Sequence, residues 1–376
     1  MDGVSRRTAL LGMLAAAGTG LAACTAPVTA PSTGSTSAAP GVPASPTPTL
    51  DTRPRWPLTG KLLKDESAAK HAAVAVKVPD NRNEHPQVGL DKADIVFVQL
   101  DGYRDAAGYS GTRLMPLFHS RMPNDVGPVR SIRPVDVPLL SPVHAVIGNT
   151  GATGWVLNYV EAFSDDLVSE LSYMATKGTG SYSIDPTRVR TYQGVTYFDR
   201  AVVCHPKVLA RQTTKFRKGP PVSYFPFATA ADEVSTASGK RARTVGVPWK
   251  PGDTYNMTYT YNAGSGRYLR SMPWGSHVLR NGTRIATDNV LVIRAKQRYA
   301  KIFSGSGGQE PVHEIIDTQG SFHYFHGGKY VTGTWAKGAA ADQFSFTLAD
   351  GSPLKMAPGQ TYVELPQHNA KLRILA

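Results

Sequence analysis

A low-complexity stretch from Thr25 to about Arg53 limits where this chain can fold. It consists mainly of Ala, Pro, Ser and Thr and holds almost no large apolar side chain. Such a segment cannot bury enough surface to offset the entropy lost on ordering, so we interpret it as a flexible tether. A packed core must come from the about 320 residues between Trp56 and Ala376, which suffice for one large domain or two.

The segment before the tether has the layout of an export signal. Arg6 and Arg7 supply positive charge, and the apolar run from Ala9 to Ala23 carries none, as is typical of a signal peptide. The run is shorter than the ~20 apolar residues that span a bilayer. The two arginines resemble a twin-arginine signal, although an aromatic is more usual where Ala9 stands. We predict an export signal peptide over residues 1–23.

The end of this predicted signal resembles a bacterial lipobox. Leu21-Ala22-Ala23-Cys24 offers small residues that admit the signal peptidase, followed by a thiol that is acylated. We therefore predict that residues 24–55 form a lipidated cysteine, carrying palmitate, and the tether. Cys24 would then anchor the body at the extracytoplasmic face of the cell membrane. The alternative is a secretory signal with a chance cysteine.

The charge of the chain favours anionic partners. The formal net charge is +13, while 41% of the residues are hydrophobic, which is ordinary for a packed core. A basic body held at a membrane is attracted to anionic lipids and anionic wall polymers. We do not expect nucleic acid as a partner, because the chain carries an export signal and no zinc-finger, basic-zipper or ribonucleoprotein motif.

The two cysteines do not predict a disulfide framework. If Cys24 is acylated, Cys204 has no partner within the monomer. A lone cysteine of this kind is expected to be buried and inert. Its neighbour His205 is not expected to form a catalytic pair with it, because adjacent side chains generally diverge.

Apolar patterns in the first half predict strands mixed with helix. Runs rich in β-branched residues predict strands over 71–78, 93–100, 112–119 and 144–148. Helical spacing then places Trp155, Tyr159 and Val160 on one side of a helix that ends near Phe163. This mixture predicts an α+β (or α/β) N-terminal domain over residues 56–220.

The second half is predicted to be almost entirely β. After a connector over 221–242, alternating runs such as Thr254 to Tyr261 are separated by glycine-containing turns such as Arg280-Asn-Gly282. We predict a smaller, mainly antiparallel β domain over 243–366 and a C-terminal tail over 367–376.

A glycine-rich loop matches the motif of a dinucleotide-binding site, but its position in the chain does not fit such a site. Gly148-Asn-Thr-Gly151-Ala-Thr-Gly154 follows a predicted strand and opens a helix, and Tyr173 and Lys177 match the Tyr-x-x-x-Lys of short-chain dehydrogenases. The loop follows several strands instead of the first, and no acidic residue ends a second strand ~20 residues later. We therefore favour a plain tight turn, with an anion site at the helix N-terminus as the alternative. We expect no cofactor.

The richest polar stretch, which we name the arginine loop, runs from Asp125 to Asp136. Arg130 and Arg133 lie in it, and Arg113 lies at the start of a predicted strand just upstream. Guanidinium groups bind carboxylate or phosphate with paired hydrogen bonds, so these arginines predict an anion site in which Asp136 orients one of them. The alternative is a structural Arg–Asp network that pins two loops.

Signatures of catalysis and metal binding are weak. The chain has neither a Gly-x-Ser-x-Gly elbow nor a His-Glu-x-x-His pattern. Asp101, Asp105 and Glu161 are candidate carboxylates, but nothing in their spacing places two of them across a sugar ring. His323 and His326 are three apart in a predicted strand, so they point to opposite faces. We predict no metal site and leave the catalytic residues unassigned.

Several motifs together resemble the YerB-like family of bacterial lipoproteins, a two-domain family of unknown function. The most specific is Gly127-Pro-Val-Arg-Ser-Ile-Arg-Pro134. The other matches, in family order between Trp56 and Pro366, are Pro57-Leu-Thr-Gly60, Ala93-Asp-Ile-Val96, Thr112-Arg113, Gly266-Arg-Tyr-Leu-Arg270, Asn289-Val-Leu-Val292, Gly333-Thr-Trp335 and Pro358-Gly-Gln-Thr-Tyr362.

The resemblance implies a two-domain envelope lipoprotein linked to cell-wall synthesis, with no assigned reaction. Arg113, Arg130 and Arg133 fall on recurring arginines of the family, and His205 matches a recurring Pro-His-Asn whose neighbours differ here. Relatives often carry a Glu where Val98 stands, so any chemistry of that Glu would be missing. An Asp-x-x-Arg pattern of the family is matched by Asp185 and Arg188.

Three functional hypotheses follow. In the first, the protein binds an anionic envelope component, such as a peptidoglycan carboxylate, a wall-polymer phosphate or a lipid-linked precursor, through Arg113, Arg130 and Arg133. In the second, it is a hydrolase or phosphotransferase in which arginines stabilise developing charge and Asp101, Asp136 or His205 moves protons. In the third, it is a protein–protein adaptor for a cell-wall synthase.

Overall fold

The structure is a computed structural model that describes residues 52–376 except 105, 107–109, 230–231, 251 and 253. The predicted signal peptide, Cys24 and nearly all of the tether lie outside the described residues. All described residues fall in one compact unit. None of its helices combines the length and hydrophobicity needed to span a bilayer.

The described residues form short helices and many strands. The α-helices are α1 (Asp136–Leu140), α2 (Gly154–Glu161) and α3 (Pro206–Leu209). Short 3₁₀ helices span Glu66–Ala69, Arg82–Glu84, Leu90–Lys92, Ser141–Val143, Pro186–Arg188 and Ala210–Gln212. The strands are β1 (Val74–Val76), β2 (Val78–Pro79), β3 (Ile95–Arg104), β4 (Ser110–Phe118), β5 (Ala145–Gly148), β6 (Leu167–Val168), β7 (Tyr182–Ile184), β8 (Arg190–Tyr192), β9 (Val195–Tyr197), β10 (Val202–Cys204), β11 (Lys240–Arg241), β12 (Thr244–Pro248), β13 (Asn256–Asn262), β14 (Arg267–Met272), β15 (Gly275–Ser276), β16 (Ala286–Thr287), β17 (Asn289–Ile293), β18 (Gln297–Ala300), β19 (Glu310–His313), β20 (Thr318–His326), β21 (Lys329–Lys337), β22 (Ser345–Leu348), β23 (Thr361–Glu364) and β24 (Arg373–Leu375).

A central mixed sheet organises the fold. Its strand order is β11-β21-β20-β17-β23-β3-β4-β1-β5-β6, with β2 beside β4 and β22 beside β21. The central strands β1, β5, β17 and β23 are buried along their whole length, as is typical of strands covered on both faces. Their β-branched residues suit this position because they pack well on a pleated surface.

Strand β23 joins the two halves of the sequence. It pairs in parallel with β17 on one side and with β3 on the other, in a register that places Thr361 opposite Ile95 and Glu364 opposite Val98. The segments predicted as two domains therefore share one sheet and one hydrophobic core. The predicted fold class is confirmed, since the first half mixes parallel and antiparallel strands with helices and the second half is mainly antiparallel.

A second sheet belongs to the C-terminal half. Its order is β15-β14-β13-β12-β24, with β16 beside β14. Burial alternates along β13 and β14, so one face packs against the rest of the protein and the other meets solvent. Residues 367–376, which we predicted to be a tail, include β24 at the edge of this sheet.

A buried ion pair connects this second sheet to the first half of the chain. Arg270 on β14 places Nη2 2.7 Å from Oδ2 of Asp80, which follows β2, and both side chains are fully buried. The same carboxylate accepts hydrogen bonds from Thr112 and His85. Burial alone would raise the pKa of Asp80, but Arg270 and His85 hold that pKa far below its ordinary value.

We predict that Asp80→Ala lowers the free energy of unfolding by about 3–5 kcal/mol, because it leaves the Arg270 guanidinium buried without a counter-charge. Urea unfolding at pH 7 measures the loss. The control is Glu314→Ala, which breaks an exposed ion pair with Arg298 and should cost no more than ~1 kcal/mol. Equal losses in the two variants would contradict a structural role for the buried pair.

Candidate functional site

A polar pocket lies where several segments of the first half meet two residues of the second half. We name it the arginine pocket, and its volume is about 650 Å³. Its lining comprises Pro79, Asn81, Asn83, Glu84, Asp101, Tyr103, Gly111, Arg113, Arg130, Ser131, Arg200, Lys250 and Tyr255. Four of these side chains are basic and two are acidic, so the walls carry an excess of positive charge.

Strand pairing explains why Arg113 faces this pocket. It lies on β4 between its register partners Pro79 on β2 and Gln99 on β3. The chain leaves β2 directly into the segment that carries Asn81 and Glu84, so one wall of the pocket is the continuation of a buried strand.

One half of the pocket is built around Asp101. Its Oδ1 lies 2.5 Å from Nη2 of Arg113, and its Oδ2 accepts a hydrogen bond of 2.9 Å from Asn81. Arg113 also donates to the carbonyl oxygen of Ser131 in the arginine loop at 3.0 Å. Burial tends to raise the pKa of Asp101, but Arg113, Asn81 and Arg133 together lower it, so this carboxylate is ionised at neutral pH.

The other half is built around Glu84, which is 3% exposed. Its Oε1 forms an ion pair with Arg130 and lies 3.5 Å from Nε of Arg200. Asp199 at the rim adds a second carboxylate, 3.4 Å from Nη2 of Arg130. With its amide oxygen turned toward Arg200, Asn83 accepts two further hydrogen bonds of 2.7 and 3.2 Å. Two guanidinium groups therefore share one oxygen of a single buried carboxylate.

Arg133 and Asp136 lie behind this lining. Arg133 donates to the carbonyl oxygen of Asp101 at 2.8 and 3.1 Å, and burial together with the nearby Arg113 lowers its pKa to about 10. Asp136 pairs with the buried Lys77 at 2.7 Å and accepts the backbone N–H of Arg133 at 2.7 Å. Asp136 thus fixes the backbone of the arginine loop, whereas we expected it to orient a guanidinium group.

His205 is not among the residues that line the pocket. It follows β10, and its ring nitrogens lie 2.8 Å from Oδ1 of Asp125 and 3.0 Å from Oγ of Ser183. The structure therefore brings two of the five predicted residues, Arg113 and Arg130, to the pocket. It places Arg133 and Asp136 next to it and His205 elsewhere.

The glycine-rich loop forms a tight turn in which several backbone N–H groups already have partners. Asn149 Oδ1 accepts the N–H of Gly151 at 2.7 Å, and the N–H of Trp155 in the first turn of α2 donates to the carbonyl of Ser306 at 2.9 Å. The N–H of Thr150 donates to the carbonyl of Arg130 at 3.0 Å. The loop thus supports the arginine loop from behind.

Other candidate residues have structural partners. Cys204 is buried and unpaired, as expected, and burial raises the pKa of its thiol strongly. Glu161 on α2 accepts a hydrogen bond of 2.5 Å from Ser169. Asp105 lies outside the described residues.

Three possible metal ligands cluster at the buried ion pair. Atoms of Asp80, His85 and His277 lie within 4.8 Å of one another. Arg270 already approaches this cluster, with Nη1 2.8 Å from Nδ1 of His277 and Nη2 2.7 Å from Asp80. Burial and the guanidinium hold the pKa of His277 well below its ordinary value. A metal ion here would have to displace the guanidinium that already supplies the positive charge.

Comparison with known proteins identifies the family. A model described as "Protein of unknown function (DUF3048) N-terminal domain" matches residues 58–203, and the corresponding C-terminal domain model matches residues 245–363. The chain belongs to this family. It is 34% identical over 117 residues to the Bacillus subtilis (strain 168) protein named "Putative lipoprotein YerB", a match that covers 31% of this chain and 33% of that relative.

The fold is also found in a solved structure. The crystal structure of the YerB protein from Bacillus subtilis superposes with a TM-score of 0.66 at 20% sequence identity, covering 85% of this chain and all of that chain. The two family models and the identity to the Bacillus subtilis protein confirm the resemblance to YerB-like proteins that the sequence motifs indicated, and the solved structure confirms the fold.

The residues that match the Asp-x-x-Arg pattern of the family position Glu84. Arg188 donates to the backbone carbonyl oxygens of Glu84, at 3.0 Å, and of Pro86. Asp185 lies 3.7 Å from Arg188 and 2.5 Å from Arg280 of the second half. The pattern therefore holds the segment that carries the buried carboxylate of the pocket.

At position 98, where the resemblance described above suggested a Glu, the buried Val98 faces a Glu on the neighbouring strand. Its register partner on β23 is Glu364, whose carboxylate accepts hydrogen bonds from Trp249 at 2.7 Å and Tyr259 at 2.5 Å. Burial raises the pKa of Glu364 to about 7. This carboxyl group is not among the residues that line the arginine pocket.

Sequence reasoning missed Glu84, Asn83, Arg200, Lys250 and Tyr255. The last two come from the second half of the chain and carried no local signal that pointed to this site. The sequence did carry a signal for Glu84. The polar segment Asp80-Asn-Arg-Asn-Glu84 directly follows an apolar run, and this is a common position for functional side chains.

We predict that Asp101→Asn lowers the free energy of unfolding at pH 7 by about 1–3 kcal/mol, because it weakens the hydrogen bonds and the charge pair with Arg113. The pKa of Asp101 is lowered in the folded protein, so its contribution is full above the unfolded-state pKa and is lost as pH falls through the folded-state pKa. The difference between wild type and variant should therefore narrow only below about pH 4. Urea unfolding at pH 7, 4 and 3 measures it, and a difference independent of pH would contradict the assignment.

Proposed function

We propose that this protein is a membrane-anchored envelope lipoprotein that binds an anionic component of the cell wall, or a lipid-linked precursor of it, in the arginine pocket. The observation that carries the proposal is the charge balance of the pocket walls. Four basic side chains, those of Arg113, Arg130, Arg200 and Lys250, line the pocket, whereas its acidic groups are Glu84 and Asp101 in the lining and Asp199 at the rim.

The arrangement of these groups favours an added anion. Arg130 and Arg200 share one oxygen of Glu84, so each guanidinium group keeps hydrogen-bonding capacity beyond that ion pair. A carboxylate or phosphate can accept paired hydrogen bonds from such groups. Because the side chains are partly buried, Coulomb attraction to a bound anion is stronger than it would be on an open surface.

The envelope location is supported by the sequence and by the relative. The predicted signal peptide and lipobox place the acylated residue at Cys24, ahead of the tether. The similar Bacillus subtilis protein bears the name "Putative lipoprotein YerB". A net charge of +13 further favours a position near anionic lipids and wall polymers.

We predict that a ligand of this class raises the melting temperature of the protein and that Arg130→Ala removes the effect. The test uses the chain from Thr25 to Ala376, which keeps the whole described unit and lacks the predicted lipid. The probes are soluble peptidoglycan fragments, a phosphate-rich wall polymer and a polyprenyl phosphate, each measured by thermal shift. Loss of one buried, hydrogen-bonded charge contact should weaken binding by about 2–5 kcal/mol.

The matched control is Arg211→Ala, which removes the same charge from an exposed position that does not line the pocket. It should leave the shift unchanged. If Arg130→Ala and Arg211→Ala behave alike, general charge attraction accounts for binding and the pocket does not. If none of the three probes stabilises the wild type, the proposal fails.

A second candidate function, hydrolysis of the same polymer, is favoured by one observation. Glu84 Oε2 is buried and receives no hydrogen bond from the residues that the structure describes. A carboxylate with an unengaged oxygen in a pocket is a candidate for proton transfer to a bound substrate.

If this second function is correct, Glu84→Gln abolishes turnover of wall polymer and retains ligand binding. Mass spectrometry of released fragments measures turnover, and thermal unfolding of the variant checks that it is folded. Asp199→Asn, which changes the exposed carboxylate at the rim, serves as the control and should keep turnover. Absence of released fragments with the wild type would rule out hydrolysis and leave the binding proposal standing.

A further inference from the structure

A solvent-exposed hairpin adjoins the arginine pocket. Strands β8 and β9 pair antiparallel, with Arg190 opposite Tyr197 and Tyr192 opposite Val195. The connecting residues Gln193 and Gly194 have φ of 48° and 77°, and positive φ at both central positions is typical of a tight two-residue hairpin turn. Every residue from 190 to 199 is exposed.

One face of this hairpin carries apolar side chains that are largely exposed. Side chains alternate along a strand, so Tyr192, Val195 and Tyr197 share a face with Arg190, while Thr191 and Thr196 lie on the other. Tyr192 is 65% exposed, Val195 53% and Tyr197 39%, and Phe198 directly after β9 is 49% exposed. Neighbouring exposed apolar side chains of this kind mark a site of interaction, and here they are Tyr192, Val195 and Tyr197.

A single carboxylate links this face to the pocket. Asp199 Oδ1 lies 3.0 Å from Nη2 of Arg190. Arg190 is on the same face of the hairpin as Tyr197, and its Cζ lies 5.8 Å from the centre of the Tyr197 ring. Asp199 Oδ2 lies 3.4 Å from Nη2 of the pocket residue Arg130. The next residue, Arg200, also lines the pocket. The apolar face and the pocket are therefore parts of one continuous surface.

We propose that the hairpin extends the arginine pocket into a binding surface for an anionic polysaccharide, with an acidic group in the pocket and adjoining sugar rings against Tyr192 and Tyr197. This inference rests on the proposed function and narrows its ligand to a saccharide polymer. The C–H face of a sugar ring packs on an aromatic ring and leaves its hydroxyl groups in water. Half-exposed tyrosines suit such a ligand.

The lining of the pocket argues against a hydrocarbon ligand. None of the described residues that line it is Leu, Ile, Val, Met or Phe, whereas Asn81, Asn83 and Ser131 offer amide and hydroxyl groups. A prenyl or acyl chain laid on an exposed two-stranded hairpin would keep much of its surface in water, so its transfer would release little free energy. A charged saccharide chain keeps its hydroxyl and acidic groups hydrated when it is partly exposed, so partial exposure costs it little binding free energy.

The test compares a short and a long ligand by isothermal titration with the chain from Thr25 to Ala376. The probes are a disaccharide of N-acetylglucosamine and N-acetylmuramic acid, and peptide-free glycan strands of the same repeat. We expect the wild type to bind the strands about tenfold more tightly than the disaccharide, from one or two added aromatic contacts. The double variant Tyr192→Ser Tyr197→Ser should lose this tenfold gain and keep its affinity for the disaccharide.

Arg130→Ala should weaken binding of both probes, whereas Leu375→Ser, at a 48% exposed apolar residue on β24, should change neither. A tyrosine variant that keeps the gain overturns the hairpin proposal and leaves the pocket proposal intact. So does a wild type that binds both probes equally. Failure of the wild type to bind either probe, combined with Arg130-dependent binding of a phosphate polymer, overturns the saccharide assignment alone. Tyrosine-dependent binding to phosphatidylglycerol vesicles in place of the strands would identify the face as a membrane contact and overturn the proposal.

Discussion

The buried contact between Asp80 and Arg270 is the interaction on which the arrangement of the site depends. Two fully buried charges are tolerated only when they neutralise each other and their remaining hydrogen-bonding groups are satisfied. Here Thr112 and His85 hydrogen-bond to the Asp80 carboxylate, and His277 hydrogen-bonds to the Arg270 guanidinium. Asp80 directly precedes the segment that carries Asn81 and Glu84. The pair therefore fixes both the second sheet and the start of one pocket wall, so the position of the ligand-facing groups depends on contact between the two halves.

The parts of the fold that depend on local pattern were predictable. The strands predicted over 93–100, 112–119 and 144–148 correspond to β3, β4 and β5, and the helix predicted from Trp155 corresponds to α2. In each case an apolar run or a helical repeat faces a buried environment, so the sequence itself carries the signal. The position of β23 was not predictable, because its pairing with β3 joins residues from opposite ends of the folded body and no local pattern encodes such a partner.

The same difference between local pattern and long-range pairing explains which site residues the sequence predicted. Arg113 and Arg130 were found because they stand in or near a dense polar motif. Arg133 was found for the same reason but lies behind the pocket, since its guanidinium group is used to hold the backbone of Asp101. Glu84, Arg200 and Lys250 come from separate segments that only the folded chain brings together. A motif can therefore show that guanidinium groups gather, but strand register decides which of them meet a ligand.

Strand β23 has a consequence for how the protein reaches its folded state. One edge of β3 is completed by residues 361–364, which follow β3 only after most of the folded body. Until that part has been synthesised, β3 and β17 each retain an unpaired edge of backbone donors and acceptors, a surface prone to aberrant pairing with other chains. Folding of the central sheet thus requires residues 361–364, and truncation of the chain ahead of β23 would open the middle of the sheet instead of trimming its border.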